Sequence, residues 1–281
     1  MIRTICVCGA GTMGSGIAQT AIQHGFEVIL YDPDPRALER AGDQIRQQLQ
    51  QLVDRAKISD SARHGMLHHL RFADDIADCK ADLIIEAIVE IAEAKVDLFL
   101  KLYARNAPET IFASNTSSLS IAAIAAQLPD ASRFMGLHFF NPATHMKLVE
   151  VVRLKESNEG TVAKLLQLAR DLGKTPVTCF DAPGFIVNRV ARPYYIEALR
   201  LAEEGVDPET IDLLMEAAGF RMGPFRLMDL IGNDINYAVS CSVYQQLGEP
   251  SRLQPSFIQQ ALVNEGKLGR KSGAGFYTYH S

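Results

Sequence analysis

The residues best suited to chemistry lie in the stretch RFMGLHFFNPATHMKLVEVV, from Arg133 to Val152. An imidazole, His138, sits in one short apolar run and a carboxylate, Glu150, in a second. Residues 134–140 and 146–152 are apolar, β-branched and aromatic, as strands are. Asn141-Pro142 between them breaks a helix and favours a turn. Alternate residues of a strand share a face. Gly136, His138 and Phe140 therefore point one way, and Leu148, Glu150 and Val152 share one face of the second run. If the runs pair across the turn, His138 and Glu150 become neighbours. A carboxylate on one ring nitrogen fixes the tautomer and stabilises the imidazolium, and the other nitrogen can take a proton. The stretch alone fits equally well a satisfied structural histidine and a surface glutamate on ordinary strands.

These residues need a scaffold, and the first part of the chain carries the pattern of one. Residues 2–8 form a short buried strand that runs into Gly9-Ala10-Gly11-Thr12-Met13-Gly14, then a helical pattern to about His24. This is G-x-G-x-x-G between a strand and a helix, the context that gives it meaning. Gly9 permits the tight turn, Gly11 lets backbone approach a pyrophosphate, and Gly14 lets helix and strand pack closely. With Thr12 and Met13 these residues open a helix, whose N–H groups and dipole favour phosphate. Residues 26–31 form a second apolar strand ending on Asp32. An acid there accepts hydrogen bonds from both ribose hydroxyls and repels a 2′-phosphate, which favours NAD over NADP. Arg36 follows closely and tempers that preference. The competing reading is a glycine turn that holds no nucleotide.

Residues 35–70 are too long, polar and Gln-rich for an ordinary crossover helix. Leu38, Ile45, Leu49, Leu52 and Val53 give a narrow apolar stripe, so a helix or helical hairpin is expected to reach out of the sheet. Arg46, Arg55 and Lys57 make either a solvated helix face or a handle for a phosphate-bearing substrate. His64 and His68 have the i,i+4 spacing of metal ligands but no carboxylate motif beside them. Further strands are expected at residues 70–72, 81–88 and 110–113. Glu90 and Lys95 then fall just after a strand, at the carboxyl edge where such sheets bind ligands. SNTSSL, residues 114–119, is a hydroxyl-rich turn opening a helix; one hydroxyl can cap it while another faces a ligand. A helix over 159–172 and a strand over 175–179 follow, and DAPGF at 181–185 marks a boundary. Beyond it the pattern is helical: 185–204, 208–218, 225–247 and 256–264, then a glycine-rich tail. The expected architecture is α/β: a doubly wound, mostly parallel Rossmann-type domain over 1–183 with a helical excursion after its second strand, then an all-α domain over 184–281.

At 281 residues the chain has ample core for two domains, and 47% hydrophobic with 22% charged residues is ordinary for a globular protein. A net charge of −5 argues against nucleic-acid binding. No apolar run is long enough to span a membrane, and no signal-peptide pattern opens the sequence. The five cysteines, Cys6, Cys8, Cys79, Cys179 and Cys241, have neither an even number nor a CxxC spacing. A reducing cytoplasm is expected, with Cys6 and Cys8 as small apolar strand residues and no metal site. The apolar helical domain is expected to pack on a partner subunit.

With these pieces in view, the chain resembles the short-chain L-3-hydroxyacyl-CoA dehydrogenases, most closely the bacterial 3-hydroxybutyryl-CoA dehydrogenases. GAGTMGSGIA, SNTSSL, GLHFFNP, MKLVEVV, PGFIVNR, MGPF and GRKSGAGFY stand in family order along essentially the whole chain. The resemblance implies His138 as general acid/base and Glu150 as its partner. It implies Ser117 and Asn188 as the residues that bind the substrate's oxygens. Asn141, Glu90, Lys95 and, in the tail, Lys271 match cofactor-binding positions, and Ser117 does as well. It also implies NAD as cofactor, an acyl-CoA substrate and a homodimer through the helical domain. One departure concerns the helix after Asp32. Relatives often carry several lysines there for CoA phosphates, whereas this chain has Gln48, Gln50 and Gln51, leaving Arg55 and Lys57 as candidate substrate contacts.

The implied reaction is reversible oxidation of an (S)-3-hydroxyacyl-CoA, 3-hydroxybutyryl-CoA first among them, to the 3-ketoacyl-CoA. Two rivals are of different kinds. One is the same fold acting on 3-hydroxyadipyl-CoA or on a free hydroxy or sugar acid. The other is a dinucleotide-binding protein without turnover, against which the complete set of Ser117, His138, Glu150 and Asn188 argues.

Overall fold

The computed structural model describes residues 2–279. Residues up to Asp181 form one compact unit and those from Ala182 onward a second. In the first, β1 (Thr4–Cys8), α1 (Thr12–Gln23), β2 (Glu27–Tyr31), α2 (Pro35–Asp54), α3 (Asp60–His68), β3 (Leu70–Ala73), β4 (Leu83–Glu86), α4 (Ala92–Tyr103), β5 (Ile111–Ser114), α5 (Ile121–Ala125), β6 (Phe134–Phe139), β7 (Leu148–Arg153), α6 (Glu159–Asp171) and β8 (Thr175–Phe180) follow in order. The strands form one sheet of order β3-β2-β1-β4-β5-β6-β7-β8. All neighbours run parallel except β6 and β7, which are antiparallel. This is the expected doubly wound, mostly parallel sheet. Crossover helices cover it, so β1, β4, β5 and β6 lose their alternation and are almost wholly buried.

The segment after β2 is the helical hairpin allowed by the sequence, but it does not simply project from the sheet. Asp34 caps α2 by accepting from Arg36 N–H, and Pro35 supplies a first-turn φ. The stripe Leu38, Ala41, Ile45 and Leu49 is buried in the main core with Ile17, Ala18 and Ala21 of α1. The far end is exposed, where Ala56 takes φ 52° and the chain turns into α3, capped by Ser59. Arg55 and Lys57 flank that turn and are exposed. His64 pairs with Asp60 at 3.2 Å.

The second unit holds α7 (Val187–Glu203), α8 (Pro208–Ala217), α9 (Pro224–Ile231), α10 (Asn233–Gln246) and α11 (Phe257–Asn264). Two expectations fail here for one reason. The helix expected from residue 185 starts at Val187, because Gly184 and Phe185 take φ of 73° and 50°. The single helix expected over 225–247 is two, broken at Gly232 with φ 104°. Left-handed backbone leaves no trace in apolar periodicity. Tyr195, Leu199, Ile211, Phe225 and Met228 form one small core of this unit. The glycine-rich tail is tied to it by Asp229, whose carboxylate accepts from the N–H groups of Phe276 and Tyr277, both at 3.0 Å.

Candidate active site

Parallel strands present their carboxyl ends on one edge, and ligands of such sheets bind there. β1, β2, β4, β5 and β6 all end on this edge, and each delivers one of the expected residues.

β1 ends in the glycine turn. Gly9 has φ 107°, and a Cβ on it would lie 2.5 Å from the Ala87 carbonyl oxygen. A Cβ on Gly14 would lie 1.8 Å from the Gly9 carbonyl oxygen. Both glycines are thus required by the protein's own packing. A Cβ on Gly11 would meet no protein atom within 4 Å. Gly11 begins α1, whose N-terminus no side chain caps, and Thr12 beside it is exposed while Met13 is half-buried. Open space and uncapped N–H groups at a helix start are what a pyrophosphate needs. Asp32, at the end of β2, accepts from Ala10 N–H at 2.9 Å and from Asp34 N–H at 3.0 Å. It therefore braces the glycine turn, and its lone pairs beyond those two bonds can accept from a ribose. A dinucleotide fits these residues.

β4 ends on Glu86, which sequence reasoning passed over. It is 0% exposed, and Lys95 of α4 is 1% exposed with Nζ 2.5 Å from Glu86 Oε1. Glu86 also accepts from Ser114 Oγ at 2.6 Å and Ile88 N–H at 2.8 Å. The signal was present: a carboxylate closing the apolar strand LIIE demands a buried counter-charge. Lys95 Nζ also lies 3.1 Å from Glu90 Oε2. Glu90 Oε1 accepts from Thr116 Oγ1 at 2.5 Å and from Ser117 N–H at 3.1 Å. A chain of charge thus runs from the core through Lys95 and Glu90 to the loop carrying Ser117. Ser120, rather than a member of SNTSSL, caps the following helix.

The two glutamates titrate in opposite senses. Burial dominates at Glu86 and raises its carboxyl. Burial also pushes Glu90 up, but the Lys95 ammonium, the Thr116 hydroxyl and the Ser117 N–H together outweigh it and leave this carboxyl low. A depressed folded-state pKa contributes stability above the ordinary glutamate value, and that stability is lost as pH falls through the lowered value. Wild type should therefore exceed Glu90→Gln in urea midpoint near neutral pH, and the two should converge as pH drops past about 4. A gap independent of pH would contradict the charge chain.

β6 and β7 supply the central pair. They are antiparallel, with His138 directly opposite Glu150 in the register. His138 is 5% exposed and Glu150 0%. Nδ1 of His138 lies 2.7 Å from Oε2 of Glu150. An ionised carboxylate only accepts, so Nδ1 carries the proton of that bond. The Phe140 ring centroid is 4.5 Å from that of His138, as their shared strand face requires. Asn115 joins the hydroxyl loop to this strand by accepting from Phe139 N–H at 2.8 Å; nothing in its local sequence marked it. Asn141 is exposed beyond β6, and its bond to Pro142 is cis.

The first unit thus brings together the glycine turn, Asp32, Glu90, Lys95, Ser117, His138 and Glu150. Asn188 and Lys271 belong to the second unit. Asn188 is half-buried in the first turn of α7, and its carbonyl accepts from Arg192 Nε at 2.9 Å. Lys271 is paired with Asp234 at 2.7 Å.

Comparison with known proteins gives matches over both units. Residues 4–182 match the model of the 3-hydroxyacyl-CoA dehydrogenase NAD binding domain, and residues 184–279 that of the 3-hydroxyacyl-CoA dehydrogenase C-terminal domain. A 3-hydroxyadipyl-CoA dehydrogenase of Escherichia coli K12 is 48% identical over 283 residues, covering 100% of this chain and 60% of the relative. The chain therefore spans about three fifths of that protein's length. A probable 3-hydroxybutyryl-CoA dehydrogenase of Deinococcus radiodurans is 42% identical, covering 97% of this chain and 99% of the relative. The crystal structure of an (S)-3-hydroxybutyryl-CoA dehydrogenase from Ralstonia eutropha superposes with a TM-score of 0.94 at 35% identity, covering 100% of both chains.

Proposed function

The chain belongs to the 3-hydroxyacyl-CoA dehydrogenase family, and on that premise we propose that it interconverts an (S)-3-hydroxyacyl-CoA and the 3-ketoacyl-CoA with NAD. The observation that carries this reading is the buried 2.7 Å contact between His138 and Glu150 at the ligand-binding edge of the sheet. NAD held on the glycine turn supplies the hydride acceptor. Nε2 of His138 takes the proton of the C3 hydroxyl, while Nδ1–H stays on Glu150, whose charge stabilises the imidazolium. In the reverse direction the imidazolium returns that proton to the ketone oxygen. Ser117, and Asn188 of the second unit, are assigned to orient the substrate's oxygens because SNTSSL and GFIVNR match the family motifs. Asn141, Lys95 and Lys271 are assigned to the cofactor on the same ground, with Glu90 holding the Ser117 loop. Arg55 and Lys57, exposed on the hairpin, are the assigned contacts for CoA phosphates.

The substrate reading is 3-hydroxybutyryl-CoA, the substrate named by the Deinococcus radiodurans and Ralstonia eutropha relatives that the chain matches over their whole length; 3-hydroxyadipyl-CoA is its rival, on the 48% identity to the E. coli relative. The test is NADH oxidation by the purified protein with acetoacetyl-CoA, a longer 3-ketoacyl-CoA, 3-ketoadipyl-CoA and free acetoacetate, beside an NADPH control. Rapid turnover of CoA esters with NADH is expected, and the ratio among them selects the acyl group. Binding of NADH without turnover of any CoA ester would overturn the proposal. Asp32→Ala should weaken NADH binding and narrow the gap to NADPH, since it removes both the ribose acceptor and the repulsion of a 2′-phosphate. Unchanged kinetics with both cofactors would refute the ribose role.

Homodimer formation through the second unit is supported by its exposed apolar side chains, among them Val190, Leu213, Leu214 and Phe257. No helix among the described residues is long and apolar enough to cross a membrane. The five cysteines are free thiols, which supports a reducing, cytoplasmic setting.

A further inference from the structure

Cys6 and Cys8 alternate with Ile5 and Val7 along β1, and a period of two turns both thiols to one face of the sheet. Ile5 and Val7 serve the core on the other face. Cys79 comes to the same place from the turn after the short 3-10 helix Ile76–Asp78. Its backbone is held on both sides: its N–H donates to Ile76 at 3.2 Å, and its carbonyl accepts from Asn106 Nδ2 at 2.8 Å. All three cysteines are 0% exposed, and their sulfurs lie within 4.8 Å of one another. The Cys6 and Cys8 sulfurs are 3.9 Å apart.

We propose that Cys6, Cys8 and Cys79 form a three-sulfur site for a soft metal ion, Cu(I) being the ion it fits. The geometry is close to that of a trigonal centre. Three sulfurs at a metal–sulfur distance of about 2.3 Å stand about 4 Å apart. The Cys6–Cys8 pair already has that spacing, and the third sulfur need move by less than about 1 Å to reach it. The donor chemistry selects the ion. Among the described residues the group contains sulfur alone, with no imidazole or carboxylate. Thiolates favour Cu(I) over hard ions, and structural zinc takes four ligands where this group offers three. Binding forms three Cu–S bonds, breaks the thiol S–H bonds and releases their protons to the buffer. Three thiolates and Cu(I) carry a net charge of −2, part of which Arg71 offsets; its guanidinium donates to the Asp78 carbonyl at 3.2 Å, one residue from Cys79. The competing account is three thiols packed as small apolar groups.

The test is anaerobic transfer of Cu(I) from its bicinchoninate complex to the reduced full-length protein. Wild type should withdraw one Cu(I) per chain. Cys6→Ser and Cys79→Ser, shown folded by circular dichroism, should hold it at least 100-fold more weakly, and Cys241→Ser should match wild type. No transfer, or transfer unaltered in the first two variants, would overturn the proposal. Should those variants not fold, X-ray absorption at the copper edge of the loaded wild type decides. Three sulfur neighbours are expected, and a shell containing nitrogen or oxygen would refute the site.

Discussion

Replacing His138 by glutamine should lower turnover by about 10²–10⁴-fold while leaving NADH affinity nearly unchanged. The glutamine amide can donate to Glu150 as Nδ1–H does, so the buried carboxylate keeps a partner and the strand pair keeps its register. What disappears is the second nitrogen, to which we assign the proton exchange with the substrate oxygen. The glycine turn and Asp32 lie on β1 and β2, with β4 and β5 between them and β6, so cofactor binding should not register the change. A merely structural histidine would give a different pattern: lower stability, with turnover per folded molecule preserved. The pH dependence separates the two further, because the limb of the kcat/KM profile owed to the imidazole should vanish in the variant. Near-normal turnover with that limb intact would sink the assignment of His138 as acid and base.

Much of this arrangement was legible because its causes are local. The glycine turn, the acid closing β2 and the opposition of His138 to Glu150 each follow from a few adjacent residues and the periods of strand and helix. The apolar stripe of α2 was legible too, but not its destination, since Leu38, Ile45 and Leu49 pack on α1 rather than on a protruding hairpin. The approach of Cys79 to Cys6 and Cys8 depends on which strands lie side by side, and β1 and β4 are neighbours in space though far apart in sequence. The breaks at Phe185 and Gly232 are backbone events that hydrophobic patterning cannot register.

Lys95→Met is the second large effect expected. Methionine keeps the length and apolar stem of lysine but removes the ammonium from between Glu86 and Glu90. Glu86, at 0% exposure, would keep its bonds from Ser114 and Ile88 and lose its only counter-charge among the described residues. Removing one partner of a buried pair costs about 3–5 kcal/mol, since the other is left charged and unpaired. The loss should depend on pH with a definite sign. Burial already raises the Glu86 carboxyl in the wild type, and without Lys95 it should rise further. A folded-state pKa above the unfolded value favours the fold at low pH and disfavours it as pH rises through the folded value. Lys95→Met should therefore be most destabilised near neutral pH and recover toward wild type on acidification. The double variant Glu86→Gln/Lys95→Met should regain much of the neutral-pH loss, because no buried charge then lacks a partner. Urea midpoints across pH for the single and double variants measure this. A double variant less stable than Lys95→Met alone would show that the lysine's packing, not its charge, holds this corner of the sheet.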